Sequence, residues 1–261
     1  MDIFNFDPNA LLSFYLTLMR FSVVLFLLPF FGGNTIPNPV KAAFLLVLTM
    51  AVWPELSFPA ALFPRNPWML AVMFSGEAML GVILGMLVMI LFSAGQFGGH
   101  IIGFQMGFAM VSVVDPITGT SEAVSAHFLW MCTMLTFLAL NGHLFLISAM
   151  GQSFDLIPPG GLLLTDALVS HVLDFSRQLF ILAVRVAAPV MAAIFLVDLA
   201  LALIARTAPQ MNVLMLGFPV KIATGFYFLG FLFTILSSLV GDFVQGLGPL
   251  FLNIMRAATG G

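Results

Sequence analysis

GQFGGHIIGFQMGFAMVSVVDPITGTSE, residues 95–122, lies near the middle of a very apolar chain of 261 residues. Gly95, Gly99, Gly103 and Gly107 recur at every fourth position, with Gly98 beside them, and no lysine or arginine interrupts the stretch. Residues four apart share one face of a helix, so these glycines form a bare seam along one side. Asp115-Pro116 and the small polar run Thr118-Gly119-Thr120-Ser121 follow, and they read as a moulded loop. A glycine in a helix interior costs about 1 kcal/mol relative to alanine, so five of them between 95 and 107 cost roughly 4–5 kcal/mol. Close approach of another backbone, or a required bend, has to offset that. Spacing alone leaves a packing seam and a bend or moving part both open.

The rest of the chain reads as apolar helices placed around this stretch. It is 61% hydrophobic and 7% charged, with a mean hydropathy of +1.14, whereas a soluble domain carries about 25% charged residues. So few charges cannot cover a water-facing surface, and the chain belongs in lipid or inside a larger apolar assembly. A net charge of −3 with eight lysines and arginines argues against nucleic-acid binding. Cys132 is the single cysteine, so it forms no internal disulfide and reads as a small buried hydrophobe. Asp2 and Asp7 open the chain without a basic cluster, which argues against a cleaved signal peptide. The length accommodates five or six membrane segments.

Leu11 to Phe31 is the first apolar run, with Arg20 in its middle; a charge there costs at least about 2.5–3.5 kcal/mol unless it is paired or hydrated. Gly32-Gly33, Pro37 and Pro39 break it. Lys41 to Trp53 is apolar but short, and at 1.5 Å per residue it reaches only roughly 20 Å, less than a hydrocarbon core. Pro54, Pro59, Pro64 and Pro67 then give a stiff loop. Trp68 to Ala94 is a long apolar helix carrying Glu77 and the pair Gly81/Gly85, a spacing that admits a neighbouring backbone. Val124 to Met150 is the next run. Gly151 to Asp174 reads as a loop containing Pro158-Pro159-Gly160-Gly161 and the acids Asp155, Asp166 and Asp174. Arg177 to Ala205, holding Arg185, Pro189 and Asp198, ends in the tight link RTAPQMN, and Val213 to Val240, with Lys221 near its start, leads into a tail from Gly241. The positive-inside bias places Lys41 and Arg206 inside and the acidic segment 151–174 outside. Residues 95–122 then face the cytoplasm.

Nothing in the sequence marks an enzyme. The histidines His100, His127, His143 and His171 have no ligand partner three or four residues away on a helix, as a metal site built on one helix wants. No nucleophile-elbow, phosphate-loop or zinc-protease pattern occurs, and no cofactor is expected. The charges inside apolar helices, Arg20, Glu77, Arg185, Asp198 and Lys221, face a bundle interior or a wet cavity and pair with one another. They read as buried ion pairs between helices or subunits, as a proton or ion path, or as partners of lipid head groups or water. Met106, Met110, Phe104 and Phe108 flank the end of the glycine seam, and flexible methionines on a bare backbone make a deformable filling.

Two long blocks carry a resemblance. GQFGGHIIGFQMGFAMVSVVDPITG followed by a Ser/Thr-rich turn, and APVMAAIFLVDLALALIARTAPQMNVLMLGFPVKIATG at 188–225, resemble the flagellar biosynthetic protein FliR family. That family is the R subunit (T in injectisomes) of type III secretion export gates. The resemblance is colinear over nearly the whole chain. It implies an all-α membrane protein of long kinked helices and helical hairpins, packed into a helical, cone-like hetero-oligomeric assembly. It further implies a single FliR-like domain over 1–261. About 1–175 would be a P-like part containing a plug loop at 107–122, and about 176–261 a Q-like helical hairpin.

By the same resemblance, Gly107, Phe108, Met110, Asp115, Pro116 and Gly119 belong to the pore plug. Gly95, Gly99 and Gly103 are its close-packed stem, and Arg206, Pro209, Gln210 and Asn212 form the cytoplasmic turn of the hairpin. The implied partners are P-type and Q-type gate subunits (FliP, FliQ), FlhB-like and FlhA-like export subunits, unfolded export substrates and the lipid membrane. The implied place is the bacterial inner membrane at the flagellar basal body. A self-contained secondary transporter, with broken helices around a mid-membrane substrate site, is the competing reading; the halves show no inverted repeat that would favour it.

Overall fold

The computed structural model describes residues 8–33, 36–55, 58, 63–64, 66–108 and 124–260. Among these residues there are helices and no strand. They are α1 (Pro8–Leu27), the single turn α2 (Pro29–Gly32), α3 (Asn38–Val52) with a short 3-10 turn (Trp53–Glu55), α4 (Pro67–Gln105), α5 (Val124–Ala139), α6 (Gly142–Leu156), α7 (Asp166–Thr207) and α8 (Val213–Thr259). Among the described residues four helices, α1, α4, α7 and α8, are long and apolar enough to cross a membrane; α5 and α6 pass the same test only together, as a pair bent by 66°, and α3 is shorter. The 39, 42 and 47 residues of α4, α7 and α8 correspond to roughly 60–70 Å, about twice a hydrocarbon core.

The chain packs as two compact units. One comprises 1–89, 142–175 and 246–261, the other 90–141 and 176–245. In the first, α1 and α4 meet through small residues. A methyl group added at Gly81 would lie 2.8 Å from Val23 Cβ, and one at Gly85 2.8 Å from Leu27 Cβ, so two glycines four apart receive two side chains four apart. Phe21 and Phe154 stack with centroids 6.2 Å apart. Trp53 Nε1 donates to Ser13 Oγ at 2.7 Å, fixing the end of α3 on α1. Lys41 is buried and its Nζ donates to Gly33 O at 2.6 Å. It is therefore an internal tie between the Gly-Gly break and α3 rather than a free loop charge.

Three segments differ from the expectation. The loop read over 151–174 is confined to 157–165, because α6 runs to Leu156 and α7 begins at Asp166. Thr165 is the reason: its Oγ1 accepts the Leu168 N–H at 3.1 Å as an N-cap, with Asp166 in the first turn favourable to the helix dipole. The tail from Gly241 is helical through Thr259; Phe251, Ile254, Met255 and Ala258 form a buried stripe at helical spacing that holds it despite its glycines. The run 124–150 breaks at Leu140-Asn141, where Asn141 takes φ 58°, a conformation Asn tolerates better than most residues.

The end of α8 is tied to the 157–165 loop. Thr165 Oγ1 donates to Ala257 O at 2.6 Å and Leu163 N to Ala258 O at 2.9 Å, satisfying carbonyls that a helix end leaves free. Thr165 thus caps one helix and closes another. Thr165→Val keeps the shape but removes both bonds, and it should lower stability by about 1–2 kcal/mol. A fall in the thermal midpoint of the purified protein, with Thr165→Ser close to wild type, is the expected measurement.

Candidate functional site

The glycine-rich end of α4 lies in the second unit. There α5 packs against it at backbone distance: a methyl group at Gly99 would sit 2.6 Å from Ser125 O and 2.8 Å from Ala126 N, and Ser125 Oγ donates to Gly99 O at 2.8 Å. One at Gly95 would press on the Thr133 hydroxyl, with Thr133 Cβ at 3.2 Å. Contacts of 95 with 133 and of 99 with 126 mean that the two helices run antiparallel. Gly98 points elsewhere, with Ala183 O at 3.0 Å and Val186 Cβ at 3.2 Å from a methyl placed there. Adjacent glycines therefore admit two different helices, α5 and α7. Gly103 is buried.

α4 stops in a Schellman turn. Gly107 N donates to Phe104 O at 3.1 Å and Phe108 N to Gly103 O at 3.0 Å, while Gly107 takes φ 89°; this is the C-cap pattern that favours glycine. A side chain at 107 is excluded twice, by that φ and by the Phe218 ring, whose Cε1 would be 2.7 Å from a methyl. Phe108 meets Phe226 edge-on at 6.3 Å. Gly107 and Phe108 are thus a fixed helix end. Met110, Asp115, Pro116 and Gly119 lie outside the described residues.

The five charges fall into three situations. Arg20 and Glu77 form a bidentate pair in the first unit, Nε to Oε2 at 2.6 Å and Nη2 to Oε1 at 3.1 Å, with both side chains at 0% exposure. Arg20 also donates to Ser153 Oγ (2.9 Å) and Ile157 O (3.0 Å), and its Cζ lies 3.8 Å from the Phe154 ring centre. Gly160 N donates to Glu77 Oε1 at 3.3 Å. Lys221 pairs with Asp198, linking α8 to α7 with both side chains partly exposed. Arg185, expected to be buried, is exposed. The buried stripe of α7 there is Ala183, Val186, Ala187, Val190 and Ile194, and helical periodicity turns 185 to the opposite face.

Arg206, Pro209, Gln210 and Asn212 are exposed around the link between α7 and α8. Asn212 Oδ1 accepts Met215 N–H at 3.3 Å and starts α8 as its N-cap. Among the described residues no group of three or more His, Cys, Asp and Glu could hold a metal ion. Sequence reading gave Ser153, Phe218, Gly225 and Phe226 no role and took Gly160 only as part of a loop. Only the glycines carried a local signal, and nothing in their spacing names a partner.

The helices and the close-packed stem define an all-α membrane protein. A family model described as bacterial export proteins, family 1, matches residues 11–247. The chain is 32% identical over 250 residues to the flagellar biosynthetic protein FliR of Bacillus subtilis (strain 168), covering 94% of this chain and 93% of that one. It is 28% identical over 242 residues to FliR of Escherichia coli (strain K12), covering 93% and 90%. To the surface presentation of antigens protein SpaR of Salmonella typhimurium it is 28% identical over 225 residues, covering 84% and 81%. This chain belongs to the FliR family of bacterial export proteins.

Proposed function

We propose that the chain is a core subunit of the flagellar type III protein export gate in the bacterial inner membrane, at the flagellar basal body. It completes the export channel with P-type and Q-type subunits and helps to seal the pore until unfolded substrates pass. The P-like part is about 1–175 and the Q-like hairpin about 176–261; the exposed turn Arg206–Asn212 lies near the docking place of an FlhB-like subunit, and an FlhA-like subunit is a further partner.

The observation that carries the sealing role is the end of α4. Its stem is packed on α5, at backbone distance at Gly99 and against the Thr133 side chain at Gly95, and the helix stops at Gly107 in a positive-φ turn, where the segment assigned to the plug begins. A loop that must hold a seal against membrane potential needs a root that does not move, and a Schellman turn on a close-packed stem supplies one. The flagellar branch is favoured by the FliR relatives, which match this chain over about nine-tenths of its length.

Deleting Val111–Thr120 tests the seal. The variant should still co-purify with P- and Q-type subunits while the membrane becomes permeable to ions and small solutes. Unchanged permeability with an intact complex would count against the plug.

A further inference from the structure

The α8 segment 217–226 makes two sets of contacts on neighbouring faces. Residues 217 and 221, four apart, face α7: Gly217 receives Leu201, whose Cδ1 would be 3.2 Å from a methyl there, and Lys221 pairs with Asp198. Residues 218, 225 and 226, separated by seven and eight positions and so on a common stripe, face the end of α4. Phe218 covers Gly107. Met106, fully buried, lies on the bare backbone of Gly225, with Cγ and Sδ both 2.6 Å from where a methyl would be. Phe226 meets the Phe108 ring.

Three consecutive residues at the end of α4, Met106, Gly107 and Phe108, are thus each held by a different residue of one α8 segment. That segment is itself pinned to α7 by an ion pair. A helix C-terminus needs only its Schellman bonds to stop, so this second set of contacts fixes orientation rather than termination.

We propose that the α8 segment Phe218–Phe226 is a clamp that orients the end of α4, and that Phe218, Gly225 and Phe226 are positioning residues for the seal. The clamp rests on the sealing role proposed above. It acts through Met106–Phe108: the rings of 218 and 226 bracket the turn, and the missing side chain at 225 admits Met106 between them.

The test uses the full chain in its complex with P- and Q-type subunits, reading complex recovery and membrane permeability together, with the Val111–Thr120 deletion alongside. Phe218→Ala with Phe226→Ala should leave the complex recoverable and raise permeability several-fold, toward the level of the deletion. Phe218→Tyr with Phe226→Tyr should stay tight. Gly225→Met should leak, and adding Met106→Ala, which exchanges filling and seat, should restore the barrier; a merely structural role would show in complex recovery, not in this reversal. If the ring-less variant and Gly225→Met both stay tight while the deletion leaks, the clamp is wrong and the sealing role stands. If the deletion itself stays tight, the sealing role fails and the clamp fails with it.

Discussion

The Glu77→Leu variant is expected to lose about 3–5 kcal/mol of stability, the range for leaving one partner of a buried ion pair alone. Against a total of about 5–15 kcal/mol for a folded protein, this is a large fraction of the stability and should lower the amount of folded chain in the membrane. The geometry supports the upper part of that range. Glu77 accepts two hydrogen bonds from Arg20 and a third from the Gly160 N–H. Without it a fully buried guanidinium keeps Ser153 Oγ, Ile157 O and the Phe154 ring, none of which carries a compensating charge.

Arg20→Met should be nearly as damaging, since it orphans the carboxylate. The double variant Arg20→Met with Glu77→Leu should recover much of the loss, because apolar replacement of a whole buried pair is often neutral. The readout is the amount of chain in the membrane fraction and the thermal midpoint of the purified protein. A double variant as unstable as the sum of the singles would show that the two residues act independently.

That pair also marks the limit of what the sequence conveys. Arg20 and Glu77 stand out because charge in an apolar helix is expensive, so their importance is local information. Their pairing is not: it depends on which faces of α1 and α4 meet, and the contacts of Gly81 and Gly85 with Val23 and Leu27 settle that only in three dimensions. Ser153 and Ile157 complete the arginine's hydrogen bonds from more than 130 positions away, and a lone serine in an apolar run announces nothing.

The family was legible because two long blocks, 95–122 and 188–225, carry it as strings. The helix start at Thr165-Asp166 was not read: the Pro158–Gly161 cluster extended the loop reading across it, and the cap shows only in the Leu168 N–H bond to Thr165 Oγ1. The helical tail was missed for a related reason. Gly241, Gly246 and Gly248 look like breakers in sequence, yet a methyl group at 246 would touch nothing within 4 Å and one at 248 only the Phe145 ring at 3.7 Å. There the stripe of Phe251, Ile254, Met255 and Ala258 outweighs helix propensity. Of the residues assigned to the plug, Gly107 and Phe108 lie in the Schellman turn that ends α4, where Gly107 takes a left-handed backbone that no side-chain pattern announces.

The glycines make the second large prediction, because their environments separate two effects that sequence treats alike. Replacing a helical glycine with alanine gains about 1 kcal/mol of helix propensity, while forcing atoms into a filled space costs about 1–3 kcal/mol or more. At Gly230 nothing lies within 4 Å of the added methyl, so Gly230→Ala should stabilise the isolated chain by about 1 kcal/mol. At Gly225 the obstacle is the flexible Met106 side chain, which can shift, so the two effects of Gly225→Ala should nearly cancel. At Gly99 the obstacles are Ser125 O and the Ala126 backbone. Neither moves without the whole of α5, and the Ser125 hydroxyl bond to Gly99 O is lost as the helices part. Gly99→Ala should therefore destabilise by about 2–3 kcal/mol net, and Gly99→Leu should prevent recovery of any complex with P- and Q-type subunits. Thermal midpoints of the three alanine variants should fall in the order 230, 225, 99. A Gly99→Ala protein as stable as wild type would mean that α5 can withdraw freely, and the stem would then be no fixed root for a seal.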